Sequence, residues 1–224
     1  MLKINSKIAE LIGMHIGDGT LYKTNRSLVW ELRGALNEKE YYDHNVIQLL
    51  QTIFHKKFHA KFRSGGKNGC YGVQISKKED TTFFLHYGFR PGTKTYTVKI
   101  PEYVKKSSHS IKLAFLRGLF DTDGCLRFDK NHTKNNYYPK IEFDLASKKL
   151  IKDLSILLNE LNFRNYIWNC NNSAKLCVAG KFMLHKWIKE IRPKNSKHLN
   201  KYKIFQKTGS MHHAEVAQSG TALT

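Results

Sequence analysis

Asp18 and Asp123, each followed by Gly, are the residues in this sequence whose type and setting point most directly to chemistry. Each Asp closes an apolar run of helical character. The first is Leu11-Ile12-Gly13-Met14-His15-Ile16-Gly17-Asp18-Gly19; the second is Leu116-Arg117-Gly118-Leu119-Phe120-Asp121-Thr122-Asp123-Gly124. A carboxylate at a helix C-terminus faces the negative end of the macrodipole. Two such carboxylates side by side repel each other as well. A divalent cation held between them removes both penalties, and carboxylate and carbonyl oxygens with open water positions suit Mg²⁺.

The elements that carry the pair must bring them together. Gly13 and Gly17 lie four residues apart on one helix face, as do Gly118 and Thr122. Small residues at that spacing let two helix backbones approach closely. Ile8, Leu11, Ile12 and Ile16 make the first helix apolar on most sides; Leu113, Phe115, Leu119 and Phe120 do the same for the second. Such helices belong at the centre of a molecule. Gly19 and Gly124 are expected as helix C-terminal caps. The two Asp are 105 positions apart, and Arg192-Pro193 follows Arg90-Pro91 by 102. An internal duplication covering roughly residues 8–95 and 111–198 explains both spacings.

Both halves read as helix, two strands, helix, two strands, helix. In the first, a helix over 8–17 precedes strands within 20–35. Asn37 is expected to cap a helix to about His55, with Glu38 and Glu40 in its first turn. A hairpin (58–63 and 71–76) and a helix (80–87) complete it. In the second, the helix over 110–121 precedes strands at 125–128 and 137–146. Ser147 caps a helix to about Leu161, and a hairpin (164–170 and 175–179) and a helix (182–191) follow. The expected divisions are 1–95 and 111–207 for the halves, 96–110 for the linker, and 208–224 for a disordered tail without Lys or Arg.

At this point the sequence resembles the LAGLIDADG homing endonucleases, in the single-chain form with two motifs. The likeness is to a pattern: Ile16 stands where the motif has its first acidic residue, Asp121 keeps it, and the second acidic residue is present in both copies. The resemblance implies an α+β fold of two pseudo-symmetric αββαββα halves packed at two central helices, with antiparallel sheets forming a DNA-binding saddle. It implies two or three divalent cations, Mg²⁺ by the donor chemistry, shared between Asp18 and Asp123 and reached by the carbonyls of Gly17 and Thr122. It assigns Lys94 and Lys197, which follow the matching Arg-Pro pairs, to the water network at each site. Two closely spaced metals activate a water and stabilise a leaving oxygen, which is what phosphodiester hydrolysis needs. The implied activity is a staggered cut in a long, non-palindromic double-stranded DNA site by a monomer. Two other functions stay open on the same fold: an RNA maturase acting on its own intron RNA, and a catalytically inactive DNA-binding regulator. Asp121 and His15 are expected to be structural.

Composition agrees with a nucleic-acid partner. Lys and Arg number 38 against 18 Asp and Glu, a net charge of +20, which points to a polyanion. No apolar run approaches the roughly 18 residues of a membrane span. Cys70, Cys125, Cys170 and Cys177 show no CxxC spacing, so neither zinc nor a disulfide framework is expected, and the protein is expected inside the cell with the DNA rather than secreted.

Two-stranded ribbons fit the major groove. The first half offers Lys23, Asn25, Arg26, Arg33, Lys61, Arg63, Lys67, Asn68 and Gln74 on its hairpins. The second offers Arg127, Lys130, His132, Lys134, Asn135, Lys140, Arg164, Asn169, Asn171 and Lys175. Tyr22, Trp30, Tyr71, Tyr137, Tyr138, Tyr166 and Trp168 are expected to pack sheets rather than stack on bases.

Overall fold

The structure, a computed structural model, describes residues 3–64, 69–130 and 137–210. Its first half runs α1 (Ser6–Ile16), β1 (Gly19–Lys23), β2 (Leu28–Gly34), α2 (Lys39–Tyr41), a π-helical turn (Tyr42–Val46), α3 (Ile47–Phe54), β3 (Lys61–Arg63), β4 (Cys70–Ile75) and α4 (Lys78–His86). A short α5 (Glu102–Lys105) lies within the expected linker. The second half runs α6 (His109–Asp123), β5 (Gly124–Asp129), β6 (Tyr138–Leu145), α7 (Lys148–Glu160), β7 (Tyr166–Asn169), β8 (Ala174–Ala179) and α8 (Lys181–Glu190). A last helix, α9 (Ser196–Thr208), follows.

The two sheets repeat one topology. Their strand orders are β1-β2-β4-β3 and β5-β6-β8-β7, antiparallel throughout. This is the expected α+β architecture of two αββαββα halves. Alternation along each strand sends one set of side chains inward. Leu21, Trp30, Leu32, Val73 and Ile75 enter the first core, and Leu126, Ile141, Phe143, Leu176 and Val178 enter the second.

The hub helix α1 serves both cores, which is why it is apolar nearly all round. Leu11 and Met14 face the first sheet, while Ala9, Ile12 and Ile16 pack with Phe115, Leu116 and Leu119 of α6. The helices touch backbone to backbone. A Cβ on Gly13 would stand 2.2 Å from the Phe115 carbonyl oxygen, and one on Gly118 would stand 2.0 Å from that of Glu10. No larger residue fits at either crossing.

Ser147 caps α7, accepting from Leu150 N at 3.2 Å. Several expectations are corrected. Gly124 is the C-cap of α6 as expected (φ −79°), but Gly17 (φ −69°), not Gly19, caps α1, and neither Gly19 nor Gly124 has a positive φ. Glycine is required there by crowding, since a Cβ on Gly19 would sit 2.5 Å from His15 Cα and one on Gly124 2.1 Å from Phe120 Cδ2. Asn37 is not an N-cap; the chain turns at Leu36–Glu38, and Glu38 Oε2 accepts from Ala35 N at 2.8 Å. Helix α9 is not among the expected elements, although Leu199, Tyr202 and Phe205 recur at helical spacing behind Asn195. It takes residues up to 208, and the expected tail from residue 211 onward lies outside the described residues.

Candidate active site

The helix ends set the site. The Gly17 N–H donates to Gly13 O at 3.1 Å and ends α1, so Asp18 follows just beyond. Asp123 is the last residue of α6. Gly17 lies against Thr122: a Cβ there would meet Thr122 Oγ1 at 2.1 Å and Asp123 Cγ at 3.4 Å. The glycine thereby lets the two half-buried carboxyl groups come within hydrogen-bonding reach of each other. Burial, then the facing Asp123 and the nearby Glu38, push Asp18 up to about 7. Burial raises Asp123 too, opposed by Lys94 and Lys197. Two carboxylates this close cannot both ionise freely without a cation.

Each carbonyl beside the pair is met by a lysine. Lys94 Nζ donates to Ile16 O at 2.7 Å and Gly17 O at 2.6 Å. Lys197 Nζ donates to Thr122 O at 3.0 Å and pairs with Glu38 at 3.0 Å. Burial lowers the Lys94 ammonium pKa, against the attraction of Asp123 and Asp18. The two Arg-Pro segments thus deliver their lysines to equivalent helix ends.

Glu38 joins the site although its sequence position suggests only a helix first turn. Its Oε1 accepts from Asn195 Nδ2 at 2.7 Å, tying the start of α9 to the first half. No local pattern places it, since its partner Asn195 lies 157 residues away. Asp121 is fully buried and accepts from the Lys194 N–H (2.9 Å) and the Asn195 N–H (3.2 Å), a structural role. His15 is buried and accepts from Trp30 Nε1 at 2.9 Å through Nδ1, and burial followed by Lys94 lowers its pKa to about 3. It is a neutral packed residue.

The donor set fits a hard divalent cation. It consists of two carboxylates that repel when empty and the carbonyls of Gly17 and Thr122, all oxygen. Among the described residues no group of three or more His, Cys, Asp and Glu side chains is arranged to hold a metal. Further ligands would therefore come from backbone, water and substrate, as is usual for Mg²⁺.

The side of each sheet away from the core carries seven of the expected DNA contacts. In the first sheet, register and alternation place Arg33, Lys61, Arg63 and Gln74 there together. In the second they place Arg127, Lys140 and Lys175 there. Lys23 and Asn169 have the opposite parity, sharing it with Leu21 and Ile167, and are exposed only because they end their strands. Asn25, Arg26, Lys130, Arg164 and Asn171 are exposed in turns or beside strand ends. Lys67, Asn68, His132, Lys134 and Asn135 lie outside the described residues. A cavity of about 580 Å³ continues the first face, lined in part by Lys56, Lys57, His59, Lys61, Arg63 and Lys77.

The aromatic expectation divides. Trp30 and Tyr71 are buried, as expected. Tyr166 and Trp168 instead stack on each other, centroids 5.2 Å apart, on the outward side of β7, and Tyr166 is 43% exposed. All four cysteines are free.

Residues 110–197 match the family model of a LAGLIDADG-like domain. Among curated relatives, an uncharacterised protein of Methanocaldococcus jannaschii is 30% identical over 188 residues, 80% of this chain. A glutamine–fructose-6-phosphate aminotransferase of the same organism is 25% identical over 182 residues, 78% of this chain. The chain spans only 19% and 15% of these two proteins, so their overall activities say nothing of it. Among solved structures, the homing endonuclease I-DmoI in complex with DNA and Mn superimposes with TM-score 0.58 at 18% identity, covering 85% of this chain and 98% of the other. The homing endonuclease I-WcaI bound to its DNA recognition sequence gives 0.57 at 17%, covering 84% and 83%. The N-terminal LAGLIDADG domain of DUF199/WhiA gives 0.52 at 16%, covering 84% and 83%.

Proposed function

The chain is a LAGLIDADG-fold protein with both motifs in one polypeptide, and on that premise we propose that it is a site-specific endonuclease that cuts both strands of a long, non-palindromic DNA site. The observation that carries this is the meeting of Asp18 and Asp123 at two close-packed helix ends, with a basic sheet face in each half. I-DmoI and I-WcaI, both seen with DNA, share the fold and support the same partner.

In this reading Asp18, Asp123 and the carbonyls of Gly17 and Thr122 would hold Mg²⁺. When bound, the metal supplies an activated water and charge stabilisation at the leaving oxygen. Lys94 and Lys197 pivot from the carbonyls they now contact to order water at each strand. Arg33, Arg63, Gln74 and Arg127 read base edges, and the lysines of the faces hold phosphates. One chain supplies both halves, so it acts as a monomer. It works inside the cell beside DNA, and no described helix is long and apolar enough to cross a membrane.

Incubating the protein with a randomised double-stranded DNA library, with Mg²⁺ or with EDTA, and sequencing the ends tests this. One long site with staggered ends, cut only with Mg²⁺, is the expected result. Binding without any cleavage would sink the nuclease reading in favour of a DNA-binding regulator. Splicing of its own intron RNA with no DNA cut would favour the maturase.

A further inference from the structure

The two sheets can be compared position by position. Gly19 pairs with Leu32 as Gly124 pairs with Phe143, and the remaining registers follow. On the outward side, Thr20 then corresponds to Cys125, Tyr22 to Arg127, Val29 to Lys140 and Arg33 to Asp144. Gln74 corresponds to Cys177 and Lys61 to Trp168. Of the outward strand positions the two sheets share, a single one holds the same residue in both: Glu31 and Glu142.

A carboxylate at the middle of a face that must receive a polyanion is unfavourable unless it has a task. Both are buried, at 5% and 7% exposure, so each has lost its water and needs a cationic partner. Glu31 is paired with Arg33 and lies 3.8 Å from Arg63 Nη1. Glu142 Oε2 is 3.1 Å from Arg127 Nη1, and Arg127 Nη2 donates to Asp129 at 3.1 Å. The arginines come from non-equivalent positions. Arg33 stands two residues beyond Glu31 on β2, whereas Arg127 lies on β5 opposite Lys140. The repeated element is therefore the carboxylate, and the guanidinium heads converge on it from different strands. Arg33 and Arg127 keep 41% and 43% of their side chains exposed, so each held guanidinium still presents donors outward.

We propose that Glu31 and Glu142 are a pseudo-symmetric pair of positioning residues that fix Arg33 and Arg127 for reading a guanine at matching steps on either side of the target's centre. The inference rests on the DNA-binding reading above. A guanidinium locked on one edge by a carboxylate loses little rotamer freedom when its fork meets guanine O6 and N7. The other outward positions differ between halves, so the target is asymmetric except for this one matched G·C pair in each arm.

Selection of bound sequences from a randomised duplex library, in EDTA so that no strand is cut, tests the pairing. The full chain is used as wild type and as Glu31→Gln, Glu142→Gln and Arg127→Lys. The wild type is expected to enrich a consensus with G·C pairs equidistant from its centre. Glu142→Gln and Arg127→Lys should each weaken the preference at one of them about tenfold, the scale of a lost bidentate contact. Glu31→Gln should weaken it at the other. Other positions should be unchanged, a result that a merely stabilising carboxylate would not give. If a Gln variant fails to fold, Arg127→Lys and Arg33→Lys report on the same positions with the carboxylates intact. A wild-type consensus without the matched pair, or Gln variants that keep the wild-type consensus throughout, overturns this inference alone. A wild type that enriches no sequence overturns the DNA-reading function, and this inference with it.

Discussion

Gly118 of α6 and Glu10 of α1 meet so closely that a Cβ at position 118 would stand 2.0 Å from the Glu10 carbonyl oxygen. The contact is backbone to backbone, so no flexible side chain can yield. Gly118→Ala is expected to cost about 3 kcal/mol or more, the upper range for overpacking, and to lower the melting temperature accordingly. Gly88→Ala is the control. Gly88 has φ +85°, and an added methyl there would have no neighbour within 4 Å, so only backbone strain of about 1 kcal/mol applies. Equal losses in the two variants would contradict the packing account.

Asp18→Asn is expected to abolish cleavage and yet stabilise the metal-free protein. The carboxyl pKa rises from 3.8 to about 7 on folding, through burial and the facing Asp123. The folded state therefore holds a proton that the unfolded chain releases, and stability is lost as pH climbs from about 4 to 7. At pH 8 the penalty is complete, and removing it should raise the melting temperature by about 2–6 °C. Below pH 4 the variant and the wild type should melt together. Thermal scans in EDTA across this range decide it; a lower melting temperature for the variant at pH 8 would refute the repulsion account.

Divalent cations should stabilise the wild type and not the Asp18→Asn/Asp123→Asn double variant. A ligand that binds only the folded state at 100 times its Kd adds about 2.7 kcal/mol. Calorimetric scans with increasing Mg²⁺ would show the upward shift. The same shift in the double variant would place the cation elsewhere.

His15→Ala is expected to cost about 2–4 kcal/mol, because it opens a cavity and leaves the Trp30 indole N–H without its acceptor. Burial, then Lys94, depresses the His15 pKa to about 3. A base held neutral contributes stability that is lost as pH falls from 6.5 towards 3. Urea denaturation of the variant should therefore show a shallower loss over that interval than the wild type.

Lys94→Met and Lys197→Met should each lower the cleavage rate about a hundredfold, the scale of a lost proton-transfer or water-ordering group. Both should retain DNA affinity within a few-fold, since neither residue lies on a sheet face. Single-turnover cleavage and filter binding measure the two separately. A variant that loses binding but not rate would make its lysine a phosphate contact.

Much of the architecture is legible in the sequence because the duplication states it twice. The glycine spacing of α1 and α6, the two Asp-Gly ends and the two Arg-Pro pairs are local patterns, and local patterns survive without tertiary knowledge. Lys94 and Lys197 are picked out by the family resemblance together with their matching Arg-Pro contexts. Glu38 cannot be placed, because its partners Asn195 and Lys197 belong to the other half of the chain. Gly19 and Gly124 invite a conformational reason when the real one is crowding by His15 and Phe120, a contact that sequence spacing does not reveal. Lys23 and Asn169 fall on the wrong face because parity at a strand end depends on a register that only pairing sets. Tyr166 and Trp168 read as packing residues because aromatic alternation does not say which side of a sheet is wet.

The seam between α1 and α6 also constrains how such a molecule can change. The two halves are two drafts of one text. At the seam the drafts agree where the helices cross and where they end, with Gly13 matching Gly118 and Asp18 matching Asp123, while outward on the sheets nearly every letter has been rewritten. Buried positions have drifted as well, His15 against Phe120 and Ile16 against Asp121, but the glycine crossing and the paired carboxylates are held, so the outward faces can be rewritten without touching either.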